Sequence, residues 1–276
     1  MAALPPYVGR LGRSWHYGFR ILCGLILTFL MAPVLVIIPL SFNAEPYFTY
    51  PMPGFSLRWY ADFMASDVWA RAIQNSLIIA ICTTLLSTAL GTLSALGLSH
   101  PRLPYKTLIM GILISPMIVP LVITAVGMYF FYAPLGLTNN LFGIILAHTA
   151  LGTPFVVITV TATLIGFDHS LTRAASSLGA SPAYTFFKIT MPLVLPGIIS
   201  GALFAFATSF DEVVAVLFLA GVEERTIPRQ MWSGMREQLS PTILAVATIL
   251  VVLSVALLTT LELLRRRNER LRGIRS

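Results

Sequence analysis

Six stretches of this sequence are each more than twenty residues long and nearly free of charge, at about 20–42, 72–98, 107–132, 141–165, 197–220 and 241–264. A membrane span needs about 20 mostly apolar residues. In hydrocarbon a chain must satisfy its own backbone hydrogen bonds, and for runs of this length the helix is the way to do it. The chain is therefore expected to be an all-α integral membrane protein with about six transmembrane helices. Composition agrees. Of 276 residues, 57% are hydrophobic and 11% charged, whereas a soluble domain is about 25% charged. Spans and short connections use nearly all of the length and leave no room for a separate soluble catalytic domain. The expected organisation is a short cytoplasmic segment at 1–19, one transmembrane domain at 20–264 and a basic tail at 265–276.

The run from Ile21 to Leu40 is too long for the apolar core of a cleavable leader. It contains Pro33 and Pro39 and no A-x-A site follows it, so it reads as a retained first span. Orientation follows from Lys and Arg. With the N-terminus inside, the inner segments hold Arg10, Arg13, Arg20, Arg102, Lys106, Arg173, Lys188 and six arginines of the tail. The outer ones hold Arg58, Arg71, Arg225, Arg229 and Arg236, a bias of thirteen to five. Both termini are expected to be cytoplasmic. The net charge of +7 sits at the ends of apolar runs. That is an orientation signal rather than a nucleic-acid patch, and the tail reads as a stop-transfer anchor on lipid. Cys23 and Cys82 lie in apolar runs and form neither a disulfide framework nor a metal spacing. His148 has no acidic or nucleophilic partner in its own segment, so it reads as a packing or hydrogen-bonding residue.

The outer connection at about 43–71 carries Tyr47, Tyr50, Trp59, Tyr60 and Trp69, which suit the membrane interface or a surface for an external partner. Prolines 33, 39, 116, 120 and 154 fall inside spans. Proline removes a backbone bond and kinks a helix, which protein or water must then cover.

Asp211 and Glu212 fall in the fifth apolar run. Intramembrane acids are costly and mark a pathway or a paired site. Asp211 lies fifteen residues after Pro196, about 22 Å of helix rise, in the outer half of a core about 30 Å thick. Steps of three or four from Gly197 reach Gly201, Phe204, Thr208, Asp211 and Ala215, a small or polar stripe expected to face the bundle interior. Glu212 is turned about 100° away, towards Ser209 and Ala205. Thr208, Asp211 and Glu212 are the candidate substrate pathway, and pairing with a neighbouring Arg or the backbone is the alternative.

The inner connection at about 166–196 is unusually long for a helix-to-helix link. It reads as two short helices. Ser170 is a candidate N-cap, Gly179 suits a left-handed helix end, and Ser181–Pro182 starts a second helix. Pro192 and Pro196 are expected to end that second helix. Ala174, Ala175, Ser176 and Ser177 allow close approach of another surface. Tyr184, Phe186, Phe187 and Ile189 form an apolar face able to pack on the bundle.

This loop resembles the EAA motif of permease subunits in type I binding-protein-dependent ABC importers: Glu-Ala-Ala, three residues, Gly, nine residues, Ile, one residue, Leu-Pro. Ala174, Ala175, Gly179, Ile189 and Pro192 fall in register. Arg173 stands where the family usually has Glu, and Met191 where it usually has Leu. The run PLVLPGIISGALFAFATSFDEVVAVLFLAG is similar to the fifth-span region of spermidine/putrescine permeases, and importers of ferric iron, opines, aminobutyrate and phosphonates share much of the pattern. The resemblance implies a permease bundle with a cytoplasmic coupling helix, in a bacterial inner membrane. Arg173, Ala174, Ala175, Gly179, Ala180, Ile189 and Pro192 would be its ATPase-coupling residues. The implied partners are two copies of an ABC ATPase, a second permease subunit and a periplasmic solute-binding protein. The chain has no G-x-x-x-x-G-K-[ST] loop. It is therefore expected to be non-catalytic, with no cofactor of its own, ATP and Mg being bound by the ATPase. The competing reading is a proton-coupled secondary transporter or channel.

Overall fold

The computed structural model describes residues 9–47, 49–100, 102–237 and 240–271. Arg272 and Arg275 of the expected tail lie outside them. The described residues form helices α1 to α12 with no strand beyond one isolated bridge, Asn43 to Phe55. The chain divides into two compact units, residues 1–66 with 234–276, and residues 67–233.

In the first unit, α1 (Arg10–Leu40) and the short α2 (Arg58–Ala65) pack on α12 (Thr242–Leu271). Leu25, Phe29 and Leu35 of α1 are all more than half exposed. An apolar helix face left open in this way is one that lipid or protein covers. Pro33 lies inside α1 without ending it, and Pro39 is its second-to-last residue. The outer connection is locally folded. Trp59 Nε1 donates to the Asn43 carbonyl at 2.7 Å, and Asn43 Nδ2 donates to the Tyr47 carbonyl at 2.9 Å. The expected interfacial aromatics therefore divide: Trp59 and Trp69 are buried, while Tyr47 and Tyr50 stay exposed.

The second unit is built on three mutually packed helices: α3 (Asp67–Ser99), α6 (Leu141–Ile165) and α9 (Met191–Asp211). Ala95, Val156, Val160, Leu164, Val194, Ile198 and Ala205 form one apolar cluster between them. Backbones approach closely: a Cβ at Gly201 would sit 2.8 Å from the Val156 Cα. Small residues make that approach possible where lipid gives no hydrophobic drive between helices. Hydroxyls add cross-links, with Ser87 Oγ donating to the Thr149 carbonyl at 3.2 Å.

Two expected spans differ from the sequence reading. The third breaks into α4 (Lys106–Ile118) and α5 (Leu121–Tyr132), bent by 103°. Val119 is extended (ψ 134°) because the ring of Pro120 disfavours helical geometry in the residue before it. The fifth does not begin near 197 after proline stops. A helical run continues from Pro182 to Asp211, through α8 (Pro182–Thr185), a π-helical turn (Phe186–Thr190) and α9. The wide turn lies directly before Pro192, where a tight turn would press the ring onto the preceding carbonyls, so the helix continues through Pro192 and Pro196. The run ends at Asp211 instead of reaching 220, and α10 (Val214–Leu219) follows after a break. The segment after α10 is tied to α3. Asn75 Nδ2 donates to the carbonyls of Glu223 and Arg225, and Ser76 Oγ accepts from the amide of Ile227, which opens α11 (Ile227–Glu237).

Candidate functional site: a coupling loop and a cavity at two helix breaks

The inner loop folds as two short helices, as its sequence indicates. Helix α7 (Ser170–Ser177) is started by the Asp168 carboxylate, which accepts from the amide of Ser170 at 2.8 Å; Ser170 itself is the first helical residue and not the cap. That bond holds the Asp168 carboxyl below its ordinary pKa of 3.8, helped by the Ser170 hydroxyl and the nearby Arg173 charge. Gly179 (φ 80°) ends the helix. Its amide donates to the Ser176 carbonyl and that of Ala180 to the Ala175 carbonyl, both at 3.0 Å, which is the Schellman pattern. Ser181 then caps α8, accepting from the amide of Tyr184.

Ala175 is buried, while Arg173, Ala174 and Gly179 are exposed and Ile189 is half-buried. An open groove of about 810 Å3 runs past Leu171, Ala174, Leu178, Ala180 and Tyr184. Leu178 is 89% exposed. The expected packing of the second helix's apolar face is met only in part: Phe186 and Ile189 are half-buried, while Tyr184 and Phe187 are both more than half exposed. The loop thus presents apolar side chains and one arginine around a hydrogen-bonded Schellman turn.

At the other end of the same helical run, α9 stops at Asp211. Glu212 is buried and its Oε1 accepts from the amide of Ala215 at 2.9 Å, capping α10. A cavity of about 460 Å3 opens here, lined by Thr208, Asp211, Glu212, Val213, Val214 and Leu121, among others. Leu121 is the first residue of α5. The breaks in two apolar segments therefore meet at one cavity. The C-terminal end of a helix carries partial negative charge, and the Asp211 carboxylate adds a full one. The N-terminal end of α5 opens on the same cavity with the opposite partial charge, so Asp211 sets the sign of the site, and interrupted membrane helices hold cations at such C-terminal ends.

The interior stripe inferred from the sequence needs correction. Gly197 and Gly201 are buried, but the buried face then continues through Ala205, Ser209 and Glu212. Phe204 and Asp211 are exposed on this chain and Thr208 is half-buried. Steps of three and of four diverge after two turns, and only packing against α6 selects between them. Sequence reasoning also missed the partner of His148. This residue is 1% exposed, and its Nδ1 shares a hydrogen bond of 2.9 Å with the hydroxyl of Ser209. The two residues lie in different apolar runs, and no local signal joins them.

A bundle of apolar helices, two of them interrupted at a shared acidic cavity, with a folded inner loop between long helices, is the architecture of an integral membrane protein. The chain matches the family described as binding-protein-dependent transport system inner membrane component over residues 87–270, and it belongs to that family. It is 32% identical over 243 residues to the spermidine/putrescine transport system permease protein PotC of Haemophilus influenzae, covering 88% of this chain and 94% of that one. It is 33% identical over 230 residues to the putrescine transport system permease protein PotI of Escherichia coli, covering 81% and 82%. The fold matches a bacterial ABC transporter involved in import of the acidic polysaccharide alginate, with a TM-score of 0.73 at 17% identity over 95% of this chain and 99% of that one. A second alginate transporter structure, in complex with a pentasaccharide-bound periplasmic protein, matches with a TM-score of 0.69 at 18% identity over 93% and 96%. The chain is thus the non-catalytic, inner-membrane pore subunit of an ABC importer that works with a solute-binding protein.

Proposed function

We propose that this importer carries polyamines or related small cationic amines, and that Thr208 and Asp211 contact the solute. The carrying observation is an exposed carboxylate at a helix C-terminus, lining a cavity where two helix breaks meet. The likeness to permeases named for spermidine and putrescine supports it. Glu212 lines the same cavity, but its buried carboxylate is engaged by α10. Its part is to shape the break.

The inner loop is the seat of the ATPase. Two ATPase copies bind ATP and Mg, and their closure draws together the α7 helices of this chain and of a second permease subunit. A two-state change driven from a distant site follows. Arg173, Ala174, Ala175, Gly179 and Ala180 form the docking turn; Ile189 and Pro192 shape the π-helical entry to α9. The exposed Arg173, in the place of a usual Glu, pairs with an acidic residue of its ATPase. Both termini are cytoplasmic, in keeping with the Lys and Arg bias.

The test uses the whole complex in proteoliposomes, with spermidine as probe. Asp211→Asn should raise the half-saturating spermidine concentration by at least about tenfold, the scale of one charged hydrogen bond. Unchanged uptake and selectivity would remove Asp211 from the pathway. Tagging the chain in its host should recover an ATPase and a permease partner. Recovery of the chain alone, still moving solute without ATP, would favour a secondary transporter.

A further inference from the structure

We propose that His148 is a positioning residue for the cavity face of α9. Through its hydrogen bond to Ser209 it sets the rotation of the helix's last turn, and so decides that Thr208 and Asp211 face the cavity. This rests on the reading of those two residues as solute contacts.

The last turn of α9 needs an external hold. Its final carbonyls have no continuing helix to receive them, because the chain breaks at Glu212 and Val213. A rotation by one residue, about 100°, would bring Phe210 or Glu212 to the place of Asp211. Glu212 cannot supply the hold, since its carboxylate is spent on the amide of Ala215, beyond the break. Ser209 is 5% exposed and reaches across to α6, where His148 meets it. The turn of α6 just before His148 also holds the far side of the break: Ile144, Ile145 and Ala147 cluster with Val216 and Leu219 of α10. One stretch of α6 therefore fixes α9 and α10 together, with a polar pin on one and an apolar clasp on the other.

Packing alone does not account for an imidazole here. Nε2 of His148 is buried with no partner among the described residues. A leucine or glutamine would fill a similar volume. What distinguishes histidine is a polar atom at the Nδ1 position facing Ser209. Asparagine can place its amide near that position; glutamine places it near Nε2, and leucine has none.

The test compares His148→Asn, His148→Gln and His148→Leu, with Ser209→Ala removing the same bond while leaving the imidazole in place. Each is assembled with its ATPase, partner permease and binding protein, and uptake of spermidine is measured in proteoliposomes. His148→Leu, His148→Gln and Ser209→Ala should each raise the half-saturating concentration about 2- to 10-fold, the scale of one hydrogen bond, with the maximal rate within about twofold of the parent. His148→Asn should stay near the parent. Hydrogen exchange of the 205–212 segment in the same complexes should quicken in His148→Leu, His148→Gln and Ser209→Ala but not in His148→Asn. A ranking by volume, with Asn the most impaired, or unchanged exchange in 205–212, overturns the proposal. Asp211→Asn runs in parallel. If it impairs uptake while His148→Leu does not, only the positioning role falls. If it leaves uptake unchanged while exchange quickens, the solute reading fails and the positioning role falls with it.

Discussion

The two ends of the helical run from Pro182 to Asp211 are built by different means. The inner end is assembled from neighbours in sequence. Asp168 starts α7, Gly179 ends it, Ser181 caps α8, and a π turn accommodates Pro192. The outer end depends on residues far away in sequence. Ser209 is held by His148, and Leu121 of a second broken segment lines the cavity. The inner end takes its shape from local capping and turn chemistry and needs few long-range contacts. The outer end is set instead by how α5, α6 and α9 lie against one another.

The largest test joins the two ends through the middle they share. Gly201→Leu would drive a side chain into Thr159 and Val156. Overpacking of this kind costs about 1–3 kcal/mol or more. The thermal midpoint of the detergent-solubilised complex should fall, and exchange should quicken at both ends; protection lost at one end only would show that α9 does not couple them.

Gly179→Val should act on the inner end alone. A β-branched residue in left-handed geometry costs about 1–2 kcal/mol, and α7 would lose its terminating turn. ATP-driven uptake should drop sharply and ATPase stimulation by loaded binding protein should disappear, while exchange around 205–212 stays as in the parent.

Glu212→Ala should act on the outer end alone. Losing a cap costs about 0.5–2 kcal/mol. The amides from Ala215 to Leu217 should exchange faster, with ATPase activity without solute unchanged. Slower ATP hydrolysis in that variant would mean the ends are less separate than the geometry indicates.

The smallest effect belongs to Asp168→Ala. The native carboxyl has a depressed pKa, so its contribution is present above the ordinary value of 3.8 and is lost as pH falls through the lower folded value. Near neutral pH the group stays charged and nothing titrates. The variant should show modestly faster exchange in residues 169–174 at neutral pH, a difference that vanishes in acid.

Legibility of the fold followed the same division. The fourth span, at 141–165, coincides with α6, and the helix–glycine–helix pattern of the inner loop is present, with the cap moved from Ser170 to Asp168 and the second helix running on past its prolines. These rest on apolar length, glycine geometry and capping chemistry, all local. The fifth span was misread at both ends. Proline is a strong local stop signal, but a π turn let the helix pass Pro192. An apolar run past Asp211 offers no local reason to break, yet the chain breaks there.

By itself the sequence determined that this chain lives in a bilayer as long helices, which of its inner loops folds as two short helices, and which acids lie among apolar residues. Length, hydropathy and turn chemistry settle those matters within a few residues of each position. Only the tertiary structure decided which acid is open. Asp211 and Glu212 are neighbours in sequence with the same charge, and 100° of helix rotation separates their fates. Close packing of Gly201 on Val156 and the grip of His148 on Ser209 set that rotation. Both act between residues dozens of positions apart, so no periodicity read along one segment could have found them.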